Sequence, residues 1–283
     1  MYYQAGLVLE GGGMKGIYTA GVLEYFLEKE LEFSSCYGVS AGSSNLCSYL
    51  SKQKGRAFHV VADYLGDKHY CSLYSLITTG NLFGIDMCYN QIPNKLNPYD
   101  YDTFSKYKGK AYAVVTNIET GEAEYLQLKD MHRDIRIIRA SCSLPLVSRN
   151  VKIGDKLYLD GGMADSIPLR KSIEDGNQKN VVILTKEYGY IRKPSKHMGI
   201  MKIKYRRYPK LMESMEKRYL QYNETLKFME KEEAEGRIFV IRPKLANDIE
   251  RIEKDPTKLE ELYQEGYNDA KECFERLLVF LNK

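Results

Sequence analysis

Ser40 lies in YGVSAGS (residues 37–43), flanked by glycines and small side chains. A G-x-S-x-G string between a strand and a helix suits a serine nucleophile. The sharp turn strains the serine backbone, so its neighbours must lack bulk, hence Gly38, Ala41 and Gly42. The helix behind such a serine aims its first N–H groups at the reacting centre, where negative charge develops in acyl transfer. Upstream, LEGGGMKG (residues 9–16) sets three glycines after another apolar run. Glycine allows close backbone approach, so the N–H groups of Gly11, Gly12 and Gly13 form a candidate oxyanion hole facing Ser40.

A serine nucleophile needs a base. The four histidines are His59, His69, His132 and His197, and none sits in a turn after an apolar strand. Asp160, in YLDGG (residues 158–162), is better placed: it ends such a strand and precedes Gly161 and Gly162. A carboxylate within hydrogen-bond reach can take the serine proton directly. GGGMKG (residues 11–16) also fits G-x-G-x-x-G, which makes a nucleotide-binding oxidoreductase the rival enzyme. That fingerprint wants an acidic residue at the end of the second strand, where Ser40 stands; Glu30 and Glu32 precede the strand. The rival outside enzymology is a non-catalytic lipid- or membrane-binding module of the same fold.

The elements that must position these residues follow from apolar pattern and glycine punctuation. Residues 5–10 and 33–39 read as buried strands, each followed by a helix of near-3.6 periodicity. Strand, helix, strand, helix in under sixty residues implies an α/β fold with a mainly parallel sheet. Residues 70–108, rich in Tyr, Asn, Pro and Gly, read as a long irregular excursion. KAYAVVTNI and EAEYLQL form a hairpin, DIRIIRASCSLP a short helix ended by Pro145, and NVVILT a further buried strand. Residues 208–236 read as a long amphipathic helix and RIFVIRP as a late strand. Residues 255–283 read as two helices hinged near Gly266.

GGGMKG, GVSAG and DGG, in this order, resemble the patatin-like phospholipase family. ASCSLP (residues 140–145) and GGMADSIPL (residues 161–169) agree with it. The resemblance covers residues 4–187 and implies a three-layer α/β catalytic domain; residues 188–283 are then a mostly helical C-terminal region. It implies a Ser-Asp dyad without histidine: Ser40 as nucleophile, Asp160 as general base, and Gly11, Gly12 and Gly13 as oxyanion turn. Lys15, followed by Gly16, stands where many members carry Arg, which keeps the charge and loses the bidentate fork. The implied activity is hydrolysis of lipid acyl esters with no metal or organic cofactor.

Bulk properties fit a globular protein of this kind. The 283 residues are 43% hydrophobic and 28% charged, and the net charge of +4 points to no nucleic-acid partner. Six scattered cysteines with no CxxC pair favour a reducing compartment. No basic-then-apolar leader and no long apolar run is present, so a cytoplasmic protein is expected. Residues 191–210 hold eight Lys or Arg and no acid, interleaved with Ile200, Met201, Ile203 and Tyr205. They are a candidate peripheral contact with an anionic membrane.

Overall fold

Apolar runs bounded by glycine become the centre of the sheet. The computed structural model describes residues 1–244 and 249–283. In β1 (Tyr2–Leu9), Leu7 and Leu9 enter one core and Val8 the other, all fully buried. A strand apolar on both faces must be covered on both, which gives three layers.

The chain continues through α1 (Ile17–Glu28), β2 (Glu32–Val39), α2 (Ala41–Leu50), α3 (Arg56–Ala62) and α4 (Leu73–Thr79). A π-helical stretch, Met87–Leu96, and α5 (Tyr101–Ser105) lead to β3 (Lys110–Asn117), β4 (Ala123–Leu128) and α6 (Met131–Ser141). Then come β5 (Val151–Ile153), β6 (Lys156–Asp160), α7 (Leu169–Glu174) and β7 (Asn180–Ile183). The last elements are α8 (Met198–Lys204), α9 (Pro209–Ala234), β8 (Ile238–Ile241) and α10 (Pro256–Asn282). Side chains of α1, α2, α6 and α10 fill the core under Leu7 and Leu9. Leu169 of α7, with Tyr222 and Met229 of α9, covers the face of Val8, Tyr37 and Val182.

The sheet runs β5-β6-β3-β2-β1-β7-β8, with β4 also paired to β3. Pairings β1–β2, β1–β7, β2–β3 and β7–β8 are parallel. Pairings β3–β4, β3–β6 and β5–β6 are antiparallel. Strand β3 acts as a ruler for the site. Val39 at the end of β2 pairs with Val114, and Asp160 at the end of β6 pairs with the next residue, Val115. Successive strand residues rise only about 3.3 Å. The ends of β2 and β6 therefore come to the same level of the sheet, which sets Ser40 beside Asp160.

Two expectations are corrected. Residues 70–108 are largely helical, because α4 and α5 are short helices fixed by caps rather than by long periodicity. The Ser72 side chain accepts from the Ser75 N–H and the Asp100 side chain from the Thr103 N–H. Residues 256–282 form one unbroken helix, and Gly266 is no hinge. It lies where α10 crosses α1: a Cβ on Gly266 would strike the Tyr18 carbonyl, and one on Gly21 the Tyr263 carbonyl. The absent side chains let two helix backbones touch, and the Tyr18 hydroxyl donates to Asp269 across the crossing at 2.8 Å.

Candidate active site

The turn between β2 and α2 holds Ser40 at φ 53° and ψ −123°, a conformation that non-glycine residues adopt only at a cost of about 1–3 kcal/mol. Neighbouring glycines make room for it. A Cβ on Gly38 would come within 2.6 Å of the Ser43 backbone, and one on Gly42 within 2.6 Å of the Leu9 carbonyl. Ser141, at the end of α6, pins the turn: its hydroxyl accepts from the Ser40 N–H at 2.9 Å and donates to the Val114 carbonyl at 2.6 Å. The first turn of α2 has no side-chain cap, so its leading N–H groups stay available beside Ser40.

The glycine string packs directly over this turn. A Cβ on Gly11 would sit 3.1 Å from the Ser40 Cβ, and one on Gly12 2.7 Å from the Thr185 hydroxyl. Gly13 has φ +62°, and a Cβ there would sit 2.6 Å from the Arg251 carbonyl, which accepts from the Met14 N–H at 3.1 Å. Gly16 abuts Ala41, where a Cβ would lie 2.7 Å from the alanine methyl. The N–H groups of Gly11, Gly12 and Gly13 donate to no acceptor among the described residues. Lys15 is half-buried near Lys186, whose pKa is pushed down to about 8 by burial and then by the charge of Lys15.

Asp160 is 2% exposed. Its Oδ1 accepts from the Gly162 N–H at 2.8 Å, and its carbonyl accepts from the Thr116 hydroxyl at 2.8 Å. Oδ2 is sealed from solvent and has no hydrogen bond of normal geometry among the described residues. Burial raises the carboxyl pKa above its ordinary value; the Ser40 hydroxyl opposes this first, then the charges of Arg251 and Arg218. Gly161 leaves no space above the Val114 carbonyl, and the Gly162 carbonyl accepts from the Arg218 Nε–H. All four histidines are exposed, and His59 pairs with Asp63 on the next turn, at 3.1 Å.

Ser40 opens into a cavity of about 200 Å³. Its wall is mainly apolar, with Met14, Ile17, Phe83, Ile92 and Ile138 among the residues that line it. Helices α3 and α6, and the segment 70–101 with its π-helical stretch, supply most of the rest.

Several residues of the site carry no signal of their own in the sequence. Glu10 is fully buried at the end of β1 and accepts from the Thr185 N–H (2.7 Å), the Thr185 hydroxyl (3.0 Å) and the Tyr222 hydroxyl (2.7 Å). It ties the glycine turn to β7 and α9. Arg218 is one charged residue among many in α9, and only its fold contact with Gly162 sets it apart. Its pKa falls to about 9 through burial and the nearby Arg192 and Arg251 charges.

Within residues 191–210, Ile200 and Ile203 are exposed, as are Arg206 and Arg207. Two members of the basic stretch differ from expectation. Tyr205 is buried, with its hydroxyl against the Leu146 N–H, because it closes the small core beneath α8. Lys202 pairs with Glu216 at 2.7 Å, so part of the charge is neutralised within the protein. Among the described residues no helix is long and apolar enough to cross a membrane.

A three-layer α/β protein with a strained serine, a buried aspartate and a glycine turn at one sheet edge defines a recognisable class. The pattern of patatin-like phospholipases matches residues 7–172, more than half of the chain, and the chain belongs to that family. A domain of unknown function (DUF6363) matches residues 208–282. Among curated relatives, the uncharacterized protein YjjU of Escherichia coli is 31% identical over 63% of this chain and 51% of its own length. A probable lipid hydrolase, 463L of Invertebrate iridescent virus 6, is 26% identical over 63% of this chain and 66% of its own. The chain thus spans about half to two thirds of the curated relatives it matches. The crystal structure of VipD from Legionella pneumophila superposes with TM-score 0.48 and 13% identity over 97% of this chain and 67% of that one.

Proposed function

We propose that the protein is a serine hydrolase of lipid acyl esters that works through Ser40 and Asp160. One observation carries the reading: a strained, largely buried serine stands between a buried aspartate and an apolar cavity. Ser40 Oγ attacks the ester carbonyl, and Asp160 takes the hydroxyl proton. Burial makes that carboxylate more basic than a solvated one, while Arg251 and Arg218 favour its charged form. The tetrahedral oxyanion meets the N–H groups of the Gly11–Gly13 turn, with α2 aimed at the same point. Asp160 returns the proton to the leaving alcohol, and water then releases the acyl group by the same steps in reverse. The acyl chain occupies the cavity. Ile200 and Ile203, with the exposed basic residues beside them, bring the enzyme to an anionic lipid surface.

Two experiments test this reading. A fluorophosphonate probe labels wild type and fails to label Ser40→Ala; labelling of both, or of neither, removes Ser40 as nucleophile. Co-sedimentation with phosphatidylglycerol vesicles falls with salt and with Lys202, Lys204, Arg206 and Arg207 changed together to Ser. Undiminished binding by that variant ends the membrane role.

A further inference from the structure

The cavity that begins at Ser40 includes a cation. Helix α2 runs along its wall, presenting Ala41, Ser44, Asn45 and Cys47 to the lumen. At the next turn, Ser48 accepts a hydrogen bond from Arg56 Nη1 at 3.3 Å, and Arg56 itself lines the cavity. Arg56 is 9% exposed. Its Nη2 donates to the Asn97 carbonyl at 3.2 Å, and its guanidinium lies 5.0 Å from the centre of the Tyr99 ring.

A guanidinium carries five N–H donors, and here two are used. Nε is sealed from solvent and has no partner among the described residues. No described carboxylate lies within ion-pair distance. The groups that favour its charge are a thiol, Cys47, and the phenols Tyr99, Tyr101 and Tyr64, and burial outweighs them. A buried cation without an anion is costly, and the ordinary remedy is pairing. The cavity is the open side from which an anion can come.

We infer that Arg56 is a specificity determinant that receives a carboxylate at the far end of the acyl chain, so that the preferred acyl group is that of a medium-length dicarboxylic acid half-ester. This rests on the reading of Ser40 as the nucleophile. Helix α2 supplies the length. From Ser40 to Ser48 is eight residues, or about 12 Å of helix. An extended chain advances about 3.5 Å per three bonds, so roughly ten bonds span that distance. A ten-carbon diacid unit fits, with its ester carbon at Ser40 and its free carboxylate at the Arg56 fork.

Binding to the non-hydrolysing Ser40→Ala protein provides the test, by calorimetry with monomethyl decanedioate against methyl decanoate. The two differ only at the end remote from the ester. The half-ester is expected to bind at least about tenfold tighter, as one charge-assisted hydrogen bond allows. The preference should vanish in Ser40→Ala/Arg56→Met and shrink in Ser40→Ala/Arg56→Lys, which keeps charge but loses the fork. Equal binding of the two ligands, or a preference that survives Arg56→Met, overturns the inference. Should Arg56→Met fail to fold, a half-ester series from six to fourteen carbons decides: affinity peaking near ten supports it, and affinity rising steadily with length refutes it. Failure of the hydrolase reading looks different, since wild type would then escape the fluorophosphonate probe while the half-ester preference stood.

Discussion

Ser141→Ala removes one hydroxyl and tests how the strained turn is held. In the native protein that hydroxyl accepts from the Ser40 N–H at 2.9 Å and donates to the Val114 carbonyl at 2.6 Å, in a fully buried setting. Alanine leaves the Ser40 N–H without an acceptor, a loss of about 2 kcal/mol for a buried donor. For a chain of this size the melting temperature should fall by about 3–4 °C. The turn also loses its tether, so Ser40 can relax from φ 53° and carry Oγ away from Asp160. If the same loss of about 2 kcal/mol is felt in the transition state, kcat on a p-nitrophenyl ester drops roughly 30-fold with little change in KM. A double-mutant cycle with Ser40→Gly isolates the strain by melting temperature alone. Glycine adopts this conformation freely and has no strain for Ser141→Ala to release, so that substitution should cost about 1 kcal/mol more when Ser40→Gly is already present. A Ser141→Ala protein that melts within a degree of wild type and turns over at the same rate would refute this account of the turn.

Asp160→Asn should abolish ester hydrolysis while leaving the protein at least as stable as wild type at neutral pH. The native carboxyl has its pKa raised by burial, so between the two pKa values the folded state holds a proton that the unfolded state has released. Stability therefore declines as pH rises from the unfolded pKa through the folded one, and an asparagine escapes that decline. Paired melts of the two proteins from pH 4 to 8 check the sign, and a variant that loses ground as pH rises contradicts it. For the same reason the acid limb of kcat should lie above the ordinary carboxylate range, and a limb at or below it would speak against Asp160 as the base. Alanine at His59, His69, His132 or His197 singly should leave hydrolysis near wild type, because all four are exposed; one essential histidine would replace the dyad by a triad. Gly266→Ala gains up to about 1 kcal/mol of helix propensity yet drives a methyl into the Tyr18 carbonyl, so thermal melts should show net destabilisation of about 1–2 kcal/mol. A stabilised variant would show that the α1–α10 crossing has slack.

What the sequence made legible is what glycine and local pattern encode. Ser40 and Gly11–Gly13 sit in strand-to-helix turns whose small residues can be seen in a short string of letters, and the parallel core follows from apolar runs. Long-range partners leave no such trace. Ser141 lies 101 residues from Ser40, and its role exists only because α6 ends beside β2. Arg218 and Tyr222 reach Gly162 and Glu10 from a helix whose charge pattern looks like any solvated face. Gly266 reads as a break because glycine is a poor helix former, and the packing that outweighs propensity is invisible without α1 opposite it.

The same contrast explains how residues after 187 bear on the site. Strand β8 extends the sheet beside β7, and α10 lies on α1, immediately behind the glycine turn. From this region Tyr222 fixes Glu10, Arg218 fixes the Gly162 carbonyl, and the Arg251 carbonyl holds the Met14 N–H. Each of these contacts acts on a turn that carries a group proposed to react rather than on the group itself. Substitutions at Arg218 and Tyr222 should therefore act through position, lowering kcat while Asp160 and Ser40 remain in place. The magnitude follows from geometry: in a site where a shift of about 1 Å costs on the order of 100-fold, losing one of these ties is felt in rate before it is felt in folding.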